Sequence, residues 1–147
     1  MEATISDELL SSLAPLIEKD LLEVFEDTEL FFELIRQNYP ICGSKIDWTM
    51  ALGVVKEVTS DDYFLRDCLL FVERLIASDE IAQTEEVVLL GDSAMDFSVV
   101  TKVGCLAESL KYVLEMPQHT YIVPLTGEWC IAFTMENMMT FGRSPEK

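Results

Sequence analysis

Apolar positions recur with two different periods along the chain, and the change falls near Ser78. Before it, apolar residues return every three or four positions, which is typical of amphipathic helices. After it, short apolar runs and alternating positions indicate strands. The pattern predicts an α+β domain in which N-terminal helices pack on a C-terminal, largely antiparallel sheet, in the rough order α-α-α-α-α-β-β-α-β-β-β. Because no linker or repeat interrupts it, we expect residues 1–147 to form a single globular domain.

Five helices are predicted ahead of the sheet, the first starting near Ser6 and ending before Pro15, because proline disfavours a helical residue ahead of it. A second helix is expected from Pro15 to Phe25, where apolar residues keep helical spacing. The third helix is begun by Asp27 or Thr28 and ended by Asn38 and Pro40. The fourth covers Trp48–Glu57 and is capped by Asp47. The fifth is begun by Ser60 or Asp61 and extends to Ile76.

Strands dominate the second part of the sequence. The segment "EEVVLLGDSA" predicts a buried strand and "MDFSVVTK" a second one, followed by an amphipathic helix in "VGCLAESLKYVLEMP". Three further strands are expected in "HTYIV", "EWCIAFT" and "NMMTFG", with a "PLTG" turn between the first two and a Glu136-Asn137 turn before the third. Trp129, Ile131 and Phe133 alternate onto one face, which we expect to pack on helices with Trp129 as a core residue.

One short motif suggests hydrolytic chemistry. Gly91-Asp92-Ser93 follows an aliphatic strand and resembles the "GDS" block of the GDSL esterases, in which the serine is the nucleophile. That family also has an Asp-x-x-His near its C-terminus to activate the serine. His119 is the only histidine, and the residue three positions before it is Met116 instead of Asp, so the second motif is absent. We therefore expect a protein that is not an enzyme, with a small hydrolase using Ser93 as the least favoured alternative.

Metal and cofactor motifs are missing from the sequence. The four cysteines, Cys42, Cys68, Cys105 and Cys130, form no CxxC pair or His/Cys cluster, so we expect reduced, mostly buried thiols and no metal. No phosphate-binding or dinucleotide-binding motif is present, which predicts no cofactor. No apolar run approaches the roughly 18 residues of a membrane span and no signal peptide is evident, so we expect a cytoplasmic protein without a membrane partner.

Charge gives the strongest indication of a partner. The net charge is −17, and residues 1–100 hold 22 acids against 6 bases, whereas residues 101–147 hold 5 acids against 4 bases. Such a chain repels nucleic acid, and its uneven distribution favours a basic protein as the partner. The predicted contacts are Glu23, Glu26, Asp27, Glu29 and Glu33 on the early helices, and Asp61, Asp62, Asp79 and Glu80 at the ends of the central helix.

The C-terminal stretch "HTYIVPLTGEWCIAFTMENMMTFG" has a family resemblance. It is similar to the closing hairpin of the immunity proteins of contact-dependent growth inhibition and related polymorphic toxin systems, in which a His-x-Tyr-Ile strand precedes a Trp-Cys strand, an acidic or Asn turn and a Phe-Gly. The resemblance covers roughly the last thirty residues, and "VVLLGDSAMDFSV" and a helix precede them in similar order.

The resemblance implies a cytoplasmic protein that binds and neutralises the toxic domain of a delivered bacterial toxin, a nuclease being one kind of such domain. The alternative is another acidic interaction module, such as a nucleic-acid mimic or a regulatory subunit. The sequence leaves the oligomeric state and the identity of the toxin open.

Overall fold

The computed structural model describes residues 5–42, 45–92, 95, 97–115 and 118–145. Its helices within these ranges are α1 (Ile5–Glu18), α2 (Glu29–Asn38), α3 (Phe64–Ala77) and α4 (Leu106–Val113). Its strands are β1 (Leu22–Phe25), β2 (Ile41–Cys42), β3 (Lys45–Ile46), β4 (Leu52–Val58), β5 (Glu86–Gly91), β6 (Ser98–Lys102), β7 (Thr120–Pro124), β8 (Trp129–Phe133) and β9 (Met138–Arg143). The predicted α+β class is confirmed.

Seven of these strands form one sheet in the order β1-β6-β5-β7-β8-β9-β4, and every neighbouring pair is antiparallel. Strands β2 and β3 form a separate small hairpin. The two edges, β1 and β4, are six strand spacings apart, which at about 4.8 Å each is roughly 29 Å. The sheet therefore separates the surfaces next to its edges widely.

Both faces of the sheet are covered. Along β5, Val87 and Leu89 belong to a core shared with α1, α3 and α4, whereas Val88 and Leu90 belong to a second core under α2. The predicted alternation in β8 is confirmed, because Trp129, Ile131 and Phe133 lie in the larger core and the residues between them lie in the smaller one. Trp129 is buried, so its prediction as a core residue is also confirmed.

The predicted helix from Pro15 to Phe25 is wrong. Helix α1 continues through Pro15, because Leu9, Leu13 and Leu16 share one buried face, and burying them offsets the backbone hydrogen bond that proline cannot donate. The helix ends when Asp20 adopts a left-handed backbone (φ 63°). The following residues 22–25 then pair with β6 as strand β1.

The predicted helix over Trp48–Glu57 is also wrong. Only Trp48–Met50 are helical, as one 3₁₀ turn, and the predicted cap is confirmed, since the Asp47 carboxylate accepts the Thr49 N–H at 3.1 Å. Valines favour extended backbone, and the positive φ of Gly53 (58°) accompanies a shift in register where β4 joins β9. Within the described residues, three helices and four strands therefore precede β5, instead of five helices.

The second part of the chain follows the prediction closely. Strands β5 to β9 and helix α4 lie in the predicted segments, and Gly127 (φ 74°) completes the "PLTG" turn with its N–H donated to Pro124 O at 2.9 Å. Asn137 (φ 64°) lies in the turn before β9, again as predicted. Among the described residues no helix is long and apolar enough to cross a membrane.

Candidate protein-binding surface

The nine acidic residues predicted to bind a partner lie in three separate places. Five lie on β1, on α2 or between them, at one edge and on one face of the sheet: Glu23, Glu26, Asp27, Glu29 and Glu33. Two precede α3 near the opposite edge strand, Asp61 and Asp62, and two follow α3, Asp79 and Glu80. Helix α3 packs on the other face of the sheet from α2, so the structure does not bring the nine residues into one patch.

The segments that carry the first group also carry exposed apolar side chains. Leu30 on α2 is 65% exposed, and Leu125 in the turn between β7 and β8 is 47% exposed. Phe25 of β1 is half-exposed and meets the ring of Phe31 edge-on at 6.1 Å. We call these four side chains, with the five carboxylates of the first group, the α2 surface.

Two contacts hold the end of α2 against the sheet and bring Leu125 beside the helix. The hydroxyl of Tyr39, the residue after α2, donates to Gly127 O at 3.2 Å. The hydroxyl of Ser144 donates to Asn38 O at 2.8 Å. These contacts shape an open cleft of about 280 Å³ between α2 and Leu125, lined mostly by apolar side chains.

The carboxylates of the α2 surface differ in their partners. Arg36 is 2.7 Å from both Glu29 and Glu33, and its hydrogen bond to Glu33, the largest cause, raises the pKa of the guanidinium. Asp27 accepts the Glu29 N–H at 3.1 Å and so holds the start of α2. Glu23 and Glu26 are exposed and form no ion pair with any described residue. The surface keeps a net negative charge after its internal pairs are counted.

The second group is smaller and has a structural contact. Asp61 and Asp62 lie in the 3₁₀ turn Asp61–Tyr63, where acids favour the start of α3. Asp61 also accepts a hydrogen bond from Asn137 Nδ2 at 3.0 Å. This bond ties the turn before α3 to the turn between β8 and β9.

The third group terminates α3. Asp79 takes a left-handed backbone (φ 62°), and the N–H groups of Asp79 and Glu80 donate to Ile76 O and Leu75 O at 3.1 and 2.9 Å. This is the Schellman arrangement, in which glycine usually takes the position of Asp79. Arg143 donates to Glu80 O at 2.6 Å, which joins the helix end to β9. The structural role of these two residues went unpredicted because no glycine marks the turn.

The two described residues of the possible esterase motif, Gly91 and Asp92, both contact the segment around Gln118 and His119. Ser93 lies outside the described residues. A Cβ on Gly91 would overlap the side chain of Gln118, and Asp92 accepts the His119 N–H at 2.9 Å while donating its own to His119 O. His119 Nδ1 accepts the Met135 N–H at 3.0 Å, so one lone pair of the imidazole is already engaged.

Metal-binding and thiol chemistry find no support within the part of the chain that the structure describes. It contains no group of three or more His, Cys, Asp or Glu side chains that could hold a metal ion. Cys68 and Cys130 are buried, and desolvation, with a smaller contribution from Asp67, raises the pKa of the Cys68 thiol to about 12. Burial raises the pKa of Cys130 as well. Cys105 is only partly buried.

No protein-family model matches the chain, and no curated protein matches its sequence. The inference of function therefore depends on the physical properties of the surfaces.

Proposed function

We propose that this chain is an immunity protein that binds and neutralises a basic toxic domain, such as a nuclease, in the cytoplasm. The observation that carries the proposal is the α2 surface, where exposed Leu30, Leu125 and Phe25 occur together with five carboxylates on β1, on α2 and between them. An apolar centre with a charged rim is the usual arrangement of a protein interface. The excess of acid selects a basic partner.

The two parts of the α2 surface contribute to binding differently. Carboxylates attract a basic domain from a distance and raise the association rate. The apolar side chains lose water on contact and slow dissociation, because buried apolar and aromatic anchors supply most of the energy of an interface. Against a nuclease, the carboxylates would occupy positions that otherwise bind phosphates, and substrate would be excluded.

The experiment uses two variants with the same change in charge. Glu26→Lys with Asp27→Lys alters the α2 surface, and Asp61→Lys with Asp62→Lys alters the opposite edge of the sheet. Each pair changes the net charge by +4. The candidate partner is the C-terminal domain of the protein encoded by the neighbouring upstream reading frame. Its affinity for each variant is measured at roughly 50 mM and 500 mM salt, because salt screens exposed charges.

We expect the α2 pair to weaken binding by more than tenfold at low salt and the Asp61–Asp62 pair to have a much smaller effect. Equal losses would show that only the total charge matters and would refute the placement on the α2 surface. If the wild-type protein does not bind or inhibit the upstream domain, the immunity function is wrong. The same α2 surface would then belong to another acidic interaction module, which a capture experiment at low salt would identify.

A further inference from the structure

The two edges of the sheet are built differently. The β1 edge has four residues and is followed by Glu26 and Asp27, which is a common way of protecting an edge from another strand. The β4 edge has seven residues and is mostly apolar, with Leu52 54% exposed and Val58 70% exposed. Among the described residues only β9 pairs with β4. One side of β4 therefore offers unpaired backbone groups beside exposed apolar side chains.

The direction of these backbone groups follows from the pairing with β9. Thr59 donates its N–H to Asn137 O at 2.9 Å, so the backbone groups of Thr59 face β9. Because these directions alternate along an antiparallel strand, Glu57 also faces β9, whereas the N–H and C=O groups of Lys56 and Val58 point outward. Lys56 and Val58 therefore each present an N–H and a C=O that can pair with another strand.

The charges of β4 itself, Lys56 and Glu57, balance, although the chain carries −17 and Asp61 and Asp62 follow the strand. Glu57 is paired with Arg74 of α3 at 2.6 Å, and Arg66 is paired with Asp67 at 3.1 Å. Lys56 is exposed and positive. A second copy of this chain meets less repulsion at this edge than at the strongly acidic α2 surface, whereas a basic partner gains less attraction here.

We propose that β4 pairs with β4 of a second copy in an antiparallel, two-fold arrangement centred on Glu57. In this register Lys56 of each chain lies opposite Val58 of the other, and their outward groups make four hydrogen bonds. The two Glu57–Arg74 pairs meet at the axis and can exchange partners. Because Asp61 and Asp62 lie beyond the end of β4, the carboxylates of the two chains lie at opposite ends of the β4–β4 contact.

The dimer has one continuous sheet of fourteen strands, and it leaves the α2 surface exposed at both outer edges. The proposal goes beyond the immunity function and does not depend on it. It also predicts an unusual salt dependence, because the whole chains repel while the interface itself is mainly apolar and hydrogen-bonded.

The test compares Val58→Pro with Val58→Thr by sedimentation equilibrium of the full chain. Val58 gives no N–H to β9, so proline is tolerated at this edge position in the monomer but removes one outward donor from each chain. Threonine keeps the donor and the branched shape. We expect dimers in wild type and Val58→Thr, and an affinity at least about tenfold lower in Val58→Pro. Circular dichroism and thermal melting confirm that each variant is folded.

Two further measurements test the mechanism of association. Raising salt from roughly 50 mM to 500 mM should strengthen the dimer, since repulsion between acidic chains is screened. Hydrogen exchange at the amides of Lys56 and Val58 should slow as protein concentration rises. A chain that is monomeric at about 1 mM, or a dimer equally stable in Val58→Pro and Val58→Thr, would overturn the proposal. Protection that appears elsewhere than on β4 would overturn it too.

Discussion

The left-handed backbone at the end of α3 leads to a prediction about Asp79. A left-handed conformation is costly for any residue with a Cβ, by about 1–2 kcal/mol for most residues and less for Asp, whose short polar side chain tolerates it. Glycine removes that cost, but its greater conformational entropy in the unfolded chain lowers stability by about 0.5–1 kcal/mol. We therefore expect Asp79→Gly to raise the free energy of unfolding by about 0.5 kcal/mol, and Asp79→Ala to lower it by a similar amount.

Glu73 provides the matched control. It is an exposed acid in the middle of the same helix, where glycine costs about 1 kcal/mol relative to a good helix former. Glu73→Gly replaces a carboxylate within α3 by glycine, and Asp79→Gly replaces one just after its end. Both variants change the net charge equally. The backbone conformation of the two positions differs, and Asp79 also lies at the helix C-terminus, where a carboxylate is unfavourable. Both differences favour Asp79→Gly, so the two variants should change stability in opposite directions.

Urea unfolding followed by circular dichroism measures the free energies, and thermal melting should show differences of about 1–4 °C for a chain of this size. If Asp79→Gly and Glu73→Gly lower stability by the same amount, Asp79 does not terminate α3 as described. A toxin-binding role for Asp79 is tested by measuring the affinity of the same variants for the partner, because loss of the carboxylate would weaken binding equally in Asp79→Gly and Asp79→Ala.

Two further predictions concern buried ionisable groups. Burial, the largest cause, raises the pKa of Tyr121 to about 12. The folded state holds the Tyr121 proton more tightly than the unfolded chain does. The free energy of unfolding is therefore unaffected by this group below pH 10 and falls as pH rises from 10 towards 12, by on the order of 2 to 3 kcal/mol. Urea unfolding should show this slope above pH 10, Tyr121→Phe should reduce it, and an equal slope in the variant would contradict the prediction. Thiol-reactive labelling of the native protein at pH 8, followed by peptide mass spectrometry, should modify Cys105 well before Cys68 and Cys130. The latter two are buried, and their raised pKa values disfavour the thiolate. Equal labelling of the three cysteines would show that the two buried sites are accessible.

Strands with a strong period of two were predictable from sequence, and short strands within a helical pattern were not. In β8 the alternation of Trp129, Ile131 and Phe133 matches the two cores on the two faces. In β1 the residues from Leu22 to Phe25 continue the spacing of the helix before them, so only pairing with the distant β6 defines them as a strand. Local sequence does not encode that partner.

The exposure of the acidic residues could be predicted, but their grouping could not. The five carboxylates near α2 are close in sequence, and the structure keeps them on one surface. Their apolar neighbour Leu125 is 95 positions from Leu30 and reaches the surface only because the β7–β8 turn is held at the end of α2. Charge counts alone also gave no reason to separate Asp61 and Asp62 from Glu26 and Asp27.

The distribution of charge between the two sheet edges relates the two proposed interactions. An acidic α2 surface attracts basic domains and repels a second copy of itself, whereas the nearly balanced β4 edge allows like chains to pair. The two contacts therefore respond oppositely to salt: binding of a basic domain weakens as salt rises, and pairing through β4 strengthens. Since β1, which carries Glu23 and Phe25 of the α2 surface, lies roughly 29 Å from β4, the two contacts use different parts of the molecule. A two-to-two complex at intermediate salt is the stoichiometry that these two surfaces predict together.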